Sequence, residues 1–415
     1  MSTQFRSIRG IHDGLPEEVR SFRHIEETAR RVFSRYVFSE VRLPVLEPTA
    51  MFVRSIGSDT DIVAKEMYRF EDRGGDDICL RPEGTAGAVR AYLQAGLTRS
   101  GAQRWFYIGP MFRRERPQKG RLRQFQQIGA EWFGVSGPVE DVEVLAMAHA
   151  FLEELGIPEL AMEINSLGCP VCRPAYRDKL VAFLDARRVS LCETCNTRID
   201  SNPMRVLDCK VGSCQAQLAD APEMASHLCG DCQSHFDGVK SGLDALAIPY
   251  VVNPRIVRGL DYYNRTAFEI VTNKLGAQGT VLAGGRYDGL VEELGGPATP
   301  AIGFAMGMER LAMLLPDIAA GSVDVAVVAI GDSVAAYALG IADRLRRAGC
   351  HVIHCGGGAA KRQFKVADRE QARFVAVLGE DEMQQGLMQV KDMQSGSQQA
   401  LGIDAAIAAI RQERS

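Results

Sequence analysis

Residues 104–134 constrain the fold of this chain most, because a block of arginines separates two segments with the composition of β-strands. The first segment, residues 105–112, and the second, residues 125–133, are both rich in aromatic side chains, which favour strands. Pro117 and Gly120 lie between them and favour a turn. The sequence therefore predicts one long antiparallel hairpin.

The loop of this predicted hairpin is strongly basic. Arginine has a planar guanidinium group that suits two-point contacts with phosphate, and a bound polyanion relieves the repulsion between neighbouring cations. The alternative is a solvated surface hairpin, but so many cations in so short a span exceed what solubility requires. We therefore favour a phosphate-rich ligand. The cations at the tip and base of the loop are Arg113, Arg114, Arg116, Lys119, Arg121 and Arg123.

Length and charge exclude several classes of protein. A chain of 415 residues is too long for one ordinary core and predicts two or three domains. The formal net charge of -4 argues against a simple nucleic-acid coating protein, so any contact with nucleic acid must come from local patches. No apolar run approaches the ~20 residues of a membrane span, and the segment MSTQFRSIRG has no apolar signal core. We expect a cytoplasmic protein without a membrane partner.

The order of the predicted elements indicates an α+β fold with a mostly antiparallel sheet flanked by helices. Strand-like segments FEIVTN, TVLAGGRYD and AIGFAMGMER follow the hairpin without the rhythm of a doubly wound fold. We place this core in residues 1–320 and a helical, cysteine-rich insertion in residues 166–248. Residues 322–415 then predict a small α/β domain with a partly parallel sheet.

Four further motifs carry side chains suited to binding or catalysis. LRPEGTAG places Glu83 and Thr85 before an apolar helix, and RGLDYYNR places Arg258 before two tyrosines. LAGGRYDGL places Tyr287 beside glycines, which allow a close approach of the backbone. GFAMGMERL places Arg310 in the first turn of a helix, where its charge adds to the positive helix end. The chain has neither a P-loop nor a GxGxxG motif, so side chains must hold any nucleotide.

Most of these residues also have a purely structural interpretation. Thr85 is a residue type that caps helices, and Glu83 favours a helix N-terminus. Tyr287 is equally compatible with a buried structural tyrosine, and Arg310 with a solvated helix turn. Residue type alone leaves these alternatives open.

Taken in order, the motifs RPEGT, WFYIGPMFRRERPQKGRLRQFQQIGAE, RGLDYY, AGGRYDGL and GFAMGMERL resemble those of class II aminoacyl-tRNA synthetases, and specifically of the histidyl-tRNA synthetase family. The resemblance spans nearly the whole chain, and RGLDYY is its histidine-specific part. It implies a class II synthetase core with a C-terminal α/β domain that binds the anticodon. It further implies a ligase that uses ATP and Mg²⁺ to form histidyl-adenylate and then transfers histidine to the 3′ end of tRNA(His).

The resemblance also assigns ligands to individual residues. Those expected to bind histidine are Glu83, Thr85, Arg113, Gln127, Glu131, Arg258, Tyr262, Tyr263 and Tyr287, and those expected to bind ATP are Arg113, Glu115, Arg121, Phe125 and Arg310. Arg113 and Arg258 are the expected catalytic residues, because their counterparts in the family act on the α-phosphate. A carboxylate paired with a hydroxyl suits neutral imidazole, which has one donor and one acceptor nitrogen. By analogy with class II cores we also expect a homodimer that uses residues 41–49.

Eight of the eleven cysteines lie in the predicted insertion. Paired CxxC motifs are typical of zinc sites, and eight thiols suffice for two Cys₄ sites. The alternative is a set of free, partly buried thiols, and the activity of the family does not depend on zinc. Structural zinc is therefore a candidate rather than an implied cofactor. Its candidate ligands are Cys169, Cys172, Cys192, Cys195, Cys209, Cys214, Cys229 and Cys232.

Two other functions are compatible with parts of the sequence. A catalytically silent, histidine-binding regulatory subunit would resemble the core alone, whereas this chain keeps its arginines and extends through a C-terminal α/β domain. A zinc-dependent RNA-binding module would leave the motifs of the histidine pocket unexplained. The sequence therefore favours the ligase.

Overall fold

The structure is a computed structural model that describes residues 5–57, 60–257, 260–275, 279–319, 321 and 323–412. The chain divides into two compact units, Met1–Ile318 and Ala319–Ser415. Within the described residues no helix combines the length and the apolar character that crossing a membrane requires.

The first unit combines ten α-helices with eleven strands in its described part. The helices are α1 (Pro16–Arg35), α2 (Thr49–Ile56), α3 (Thr85–Gln94), α4 (Pro138–Glu154), α5 (Arg173–Asp185), α6 (Glu193–Ser201), α7 (Gly212–Gln217), α8 (Gly230–Ala245), α9 (Leu290–Glu293) and α10 (Met308–Ala312). The strands are β1 (Ser39–Glu40), β2 (Leu46–Pro48), β3 (Tyr68–Glu71), β4 (Asp77–Leu80), β5 (Gln103–Phe112), β6 (Gln124–Phe133), β7 (Leu160–Ser166), β8 (Tyr250–Val252), β9 (Asn264–Thr272), β10 (Thr280–Arg286) and β11 (Ala301–Gly307).

An eight-stranded sheet forms the centre of this unit, in the order β1-β5-β6-β11-β10-β9-β7-β8. Its edge pairs, β1 with β5 and β7 with β8, are parallel, and all pairs between them are antiparallel. A smaller sheet has the order β2-β4-β3. This arrangement confirms the predicted mostly antiparallel sheet flanked by helices.

The predicted hairpin is present as β5 and β6, which pair from Gln103–Phe133 to Phe112–Gln124. Side chains alternate between the two faces of a strand. On β6, Ile128 and its alternate neighbours therefore pack into the main hydrophobic core, whereas Gln127 and Glu131 face the opposite side of the sheet. Both faces of this strand are buried along most of its length.

Helices α1, α4 and α8 cover the core face of the sheet. Phe33 of α1 contacts Phe151 of α4 and Phe304 of β11, with ring centroids 5.4 and 5.9 Å apart. Full burial of one such side chain contributes about 1.5–3 kcal/mol. The packed helices thus support the sheet from one side and leave its other face to the polar residues.

A buried ion pair joins the sheet to these helices. Arg286, at the end of β10, is fully buried, and its Nη2 and Nε atoms lie 2.5 and 3.1 Å from Oδ1 of Asp141 in α4. Its Nη1 donates to the carbonyl of Val135 over 2.7 Å. The Asp141 carboxylate also accepts hydrogen bonds from His235 Nε2 in α8 and Thr266 Oγ1 in β9, over 2.7 and 2.6 Å. One carboxylate therefore links two helices and two strands.

The second unit is a small α/β domain. Its described helices are α11 (Ala335–Arg347), α12 (Ala360–Arg369), α13 (Glu380–Gln385) and α14 (Ile403–Gln412), and its strands are β12 (Val325–Ala329), β13 (Val352–His354), β14 (Phe374–Leu378), β15 (Leu387–Asp392) and β16 (Gln398–Gly402). The sheet order is β13-β12-β14-β15-β16, with the first three strands parallel and the last two antiparallel. The sheet is partly parallel as predicted, but the hairpin of β15 and β16 was not foreseen.

We expect the substitution Asp141→Ala to destabilise the first unit by about 3–5 kcal/mol, because it removes the fully buried carboxylate that pairs with Arg286 and leaves the partly exposed Asp288 as the counter-ion. Denaturant unfolding followed by tryptophan fluorescence measures this, since Trp105 and Trp132, the only tryptophans, both lie in the first unit. Glu154→Ala is the control, because it removes only exposed ion pairs with Arg31 and Arg35. Equal shifts of the two midpoints would contradict the importance of the buried pair.

Candidate active site

A cavity of about 410 Å³ opens on the polar face of the central sheet. It is bounded by the hairpin loop, by β10 and β11, and by the start of α10. All five residues predicted to bind ATP line this cavity, and one of them, Arg113, is also predicted to bind histidine, as is Gln127. They are Arg113, Glu115, Arg121, Phe125, Arg310 and Gln127.

Arg113 is held at the cavity wall by the backbone. Its Nε donates to the carbonyl of Pro82 over 2.8 Å, and its guanidinium carbon lies 5.4 Å from the centroid of the Phe125 ring. The guanidinium group has further N–H donors beyond the one used here. Those donors are available to an anionic ligand beside an aromatic face.

The other cationic walls come from the hairpin loop and from α10. Arg121 Nη1 lies 3.5 Å from Glu115 Oε2, a distance that leaves the pair loosely associated. Burial lowers the pKa of Arg310, and the positive charge of Arg121 lowers it further. Burial also raises the pKa of the adjacent Glu309 to about 7, although a backbone N–H from Gln126 partly offsets this. The wall thus brings Arg121 and Arg310 together, and an anionic ligand would relieve the repulsion between them.

A buried carboxylate lies farther along the same face of β6. Glu131 Oε1 accepts hydrogen bonds from Thr85 Oγ1 and the Tyr107 hydroxyl over 2.8 and 3.1 Å, and Oε2 accepts one from the Tyr287 hydroxyl over 2.5 Å. Burial raises the pKa of Glu131 to about 8, although these hydroxyls stabilise the ionised form. Three hydroxyl donors therefore offset part of the cost of burying this carboxylate.

Tyr107 is the member of this cluster that sequence reasoning missed as a site residue. The sequence pattern predicts a strand at this residue and no ligand. Its position opposite Gly129 in the hairpin, two residues from Glu131, gave the signal, because both side chains then share one face.

Glycines make room for this cluster. A Cβ atom on Gly303 of β11 would lie 1.9 Å from Glu131 Oε2, and one on Gly129 would lie 2.2 Å from the Tyr107 ring. Both distances are far below van der Waals contact. The glycines of these strands therefore fix where the carboxylate and the phenol lie.

Three tyrosines surround the same region. The ring centroids of Tyr262 and Tyr263 are 4.6 Å apart. The ring centroid of Tyr287 lies 5.8 Å from that of Tyr262 and 6.4 Å from that of Tyr263. The Tyr262 hydroxyl and Gln127 Oε1 are buried and have no hydrogen-bond partner among the described residues. An unsatisfied buried polar group costs about 1–3 kcal/mol, so these two atoms indicate the place of a polar ligand.

Glu83 lies just before α3 and stabilises the N-terminus of this helix, as its structural interpretation predicts. Its Oε2 and Oε1 accept hydrogen bonds from the backbone N–H groups of Thr85 and Ala86 over 2.6 and 2.9 Å. This interaction satisfies two donors of the helix N-terminus. The predicted catalytic residue Arg258 lies outside the described residues.

The insertion contributes to the cavity wall in a way that the sequence did not indicate. Arg198 of α6 lines the cavity and lies 3.3 Å from Asp61 Oδ2, and Arg205 and Asp208 line the same wall. These residues belong to no motif, so only folding brings them to the site. The insertion also holds two groups of four cysteines, each with its Sγ atoms within 4.8 Å of one another.

Comparison with known proteins agrees with this geometry. The family model for histidyl-tRNA synthetase matches residues 10–311, and that for an anticodon binding domain matches residues 324–413. The structure is similar to apo S. aureus histidyl-tRNA synthetase, with 33% sequence identity, a TM-score of 0.82, and coverage of 98% of this chain and 100% of that chain.

Two further structures share the fold at lower identity. Histidyl-tRNA synthetase from Nostoc sp. PCC 7120 is 21% identical, with a TM-score of 0.73 over 99% of this chain and 100% of that one. A Bacillus halodurans protein described as an ATP phosphoribosyltransferase regulatory subunit/histidyl-tRNA synthetase is 19% identical, with a TM-score of 0.66 over 91% of this chain and 99% of that one. Because the family model covers most of its length and the S. aureus enzyme matches it from end to end, this chain belongs to the histidyl-tRNA synthetase family and is a histidine–tRNA ligase.

Proposed function

We propose that this ligase works in two steps on the polar face of its central sheet. In the first, a carboxylate oxygen of histidine attacks the α-phosphorus of ATP, so that histidyl-adenylate forms and pyrophosphate leaves. In the second, a hydroxyl of the terminal ribose of tRNA(His) attacks the carbonyl carbon, and AMP leaves. The observation that carries this proposal is the buried Glu131 carboxylate of β6, which accepts hydrogen bonds from three hydroxyls. The same strand borders the arginine-lined cavity.

Recognition of the imidazole ring falls to Glu131 and Tyr263, with Tyr262 and Tyr287 as walls. A carboxylate accepts from one ring nitrogen, and a hydroxyl serves the other. The close packing of the three tyrosine rings supports this assignment. A phenylalanine substrate has neither the donor nor the acceptor nitrogen that such a site contacts, which disfavours it strongly.

Recognition of the α-amino group falls to Glu83, Thr85 and Gln127. An ammonium group has three donors and needs acceptors. Gln127 Oε1 is an unused buried acceptor, and each Glu83 oxygen accepts one described backbone hydrogen bond and has another lone pair. The helix-capping role of Glu83 therefore remains compatible with substrate binding.

ATP binding uses the five residues that line the cavity. The adenine ring stacks on Phe125 beside Glu115, the outer phosphates bind Arg121 and Arg310, and the α-phosphate binds Arg113. The shared cavity and the arginines that line it support this placement.

Class II synthetases use Mg²⁺ with ATP. Mg²⁺ keeps several waters and binds proteins through one or two carboxylates together with substrate phosphates. Glu66 and Glu115 supply such carboxylates on the cavity wall. When bound, the ion neutralises charge on the phosphate oxygens.

Catalysis rests on positioning and charge stabilisation. The histidine carboxylate is already ionised at neutral pH, so activation needs no protein base. Arg113 and Arg258 stabilise the charge that develops on the α-phosphate. The role of Arg258 rests on its motif, RGLDYY, alone.

Binding of tRNA involves both units. Arg116 of the hairpin loop guides the acceptor end, whose phosphates and unpaired bases offer charge and stacking surface. The second unit reads the anticodon, in agreement with its family match. We also propose a cytoplasmic location, as for the family in general.

We expect the chain to form a homodimer through residues 41–49. Leu46 is 48% exposed within this segment, an apolar side chain that a partner would cover. Leu46→Asp should therefore shift the mass measured by sedimentation from two chains to one. Leu339→Asp, which changes a leucine 55% exposed in the second unit, should leave the dimer intact. A wild-type chain that sediments as a monomer would refute the dimer.

The two-step mechanism predicts histidine-dependent exchange of labelled pyrophosphate into ATP in the absence of tRNA. Arg258→Ala should abolish this exchange, whereas Arg255→Ala removes an exposed arginine three residues away and should preserve it. Near-normal exchange in Arg258→Ala would reject its catalytic role. A folded wild-type protein without any exchange would instead favour the regulatory-subunit alternative.

Glu131→Gln should raise the KM for histidine in this exchange by about 10- to 150-fold, because it removes a charge-assisted hydrogen bond of about 1.5–3 kcal/mol. The KM for ATP should change by less than about threefold if the imidazole alone contacts this residue. Glu143→Gln, which changes a carboxylate of α4 paired with Arg104 outside the cavity, is the control. Equal changes in the two KM values would move Glu131 out of the histidine pocket.

A further inference from the structure

We propose that the segment between β7 and β8 binds two zinc ions, each through four cysteine thiolates. Site I consists of Cys169, Cys172, Cys229 and Cys232, and site II consists of Cys192, Cys195, Cys209 and Cys214. Both sites serve as structural clamps. They lie outside the cavity and take no part in the chemistry of ligation.

The pairing of the cysteines is a result of folding. Site I joins the first and the last CxxC pairs of the segment, and site II is nested between them in the sequence. The remaining cysteines, Cys79, Cys350 and Cys355, belong to neither group. Eight thiols at eight separate positions of a folded segment thus form two complete sets of four.

The sulfur–sulfur distances match a single tetrahedral ion. With Zn–S bonds of about 2.3 Å, the edge of the tetrahedron is about 3.8 Å. In site I, Cys169 Sγ lies 3.6 Å from Cys172 Sγ and 3.9 Å from Cys229 Sγ. In site II, Cys192 Sγ lies 4.0 Å from Cys209 Sγ. A disulfide would require about 2.05 Å.

Backbone N–H groups point at the sulfurs in both sites. The amide of Cys229 donates to Cys172 Sγ, and that of Cys192 donates to Cys214 Sγ, each over 3.1 Å. In each site the donor is the first cysteine of a CxxC pair, and the acceptor is the sulfur of a cysteine from a distant part of the segment. Such bonds stabilise a thiolate more than a neutral thiol, so the backbone is arranged for metal-bound sulfur.

The apolar core around the cysteines is small, so metal binding by the converging thiols would add to the stability of this segment. Helices α6 and α7 are short, with 9 and 6 residues, and Ile199 is their one buried aliphatic side chain beside the buried Cys195 and Cys214. Metal binding to such a segment contributes directly to its folding free energy. A zinc ion in each set of four stabilises the segment in this way. Thiolate ligands suit zinc, whereas Mg²⁺ prefers oxygen ligands.

Site I lies behind the tyrosines of the proposed histidine pocket. Arg173 directly follows Cys172, and its guanidinium donates to the carbonyl of Leu167 over 3.1 Å and to that of Tyr263. Displacement of Cys172 would therefore displace the backbone that carries Tyr263.

Site II lies beside the cavity wall. Its CxxC pair begins α6, which carries Arg198 to Asp61, and Asn202 after this helix donates to Asp261 over 2.8 Å. This part of the inference rests on the proposed function, because it assigns the metals to positioning of the substrate pocket.

Metal analysis of the full chain, purified from zinc-containing medium without chelators, tests the two sites. We expect two zinc ions per chain in the wild type, one in Cys169→Ser, one in Cys195→Ser, and two in the control Cys355→Ala. Less than one zinc per chain in the wild type, or iron in its place, would overturn the proposal.

Two measurements on the wild type keep the proposal testable if the variants fail to fold. Titration of the native protein with a mercurial reagent should release two zinc ions, detected by a chromogenic chelator. The chain denatured with chelator and without reductant should show eleven free thiols, the number in the sequence. Loss of thiols in pairs would instead indicate disulfides and refute the metal sites.

Kinetics test the positioning role separately. If Cys169→Ser folds, its KM for histidine in pyrophosphate exchange should rise at least fivefold with a smaller change in kcat, because the backbone that carries Tyr263 moves while the arginines of the hairpin remain. An unchanged KM in a zinc-deficient variant would refute positioning. If the wild type shows no exchange, the proposed function fails, whereas the zinc count still decides whether the metal sites exist.

Discussion

The buried pair of Asp141 and Arg286 is the interaction on which the architecture of the first unit depends. A charge without access to water is tolerated only with a close counter-ion and full hydrogen bonding, and this network supplies both. The pair fixes the end of β10 against α4. Because Tyr287 follows Arg286 directly, the same contact places the Tyr287 hydroxyl on Glu131. A structural ion pair thus determines the geometry of the candidate histidine pocket.

The central sheet separates stability from function by its two faces. On β6, one set of alternating residues packs against helices, and the other set faces the site. The glycines of β6 and β11 let the carboxylate and a phenol lie directly on the sheet. Because strands flanked by packed helices move little, the polar groups are held in place before any ligand binds. The arginine loop extends from the same hairpin, so one supersecondary element supplies both the carboxylate and the cations.

Much of this architecture was accessible from local sequence patterns. Aromatic segments around a loop with Pro117 and Gly120 predict the hairpin. The motifs predict which hairpin residues bind a ligand, and several of these line the cavity. The hairpin of β15 and β16 was missed, because its exposed strand Gln398–Gly402 lacks the apolar alternation that indicates a half-buried strand. Tyr107 was missed as a site residue, because an aromatic residue in a strand is usually core. Arg198 and Arg205 carried no signal, since their place at the cavity depends on how the insertion folds back.

By itself the sequence determined the family of the chain, the strands of the hairpin and the residue types available for binding. These properties depend on local spacing and on short motifs, which are written along the chain. Only the tertiary structure decided that Arg286 is a buried structural residue, that Tyr107 joins Glu131, and which cysteines share a set of four. These facts depend on contacts between residues distant in the chain, and burial and packing, which no local pattern encodes, select one arrangement among many.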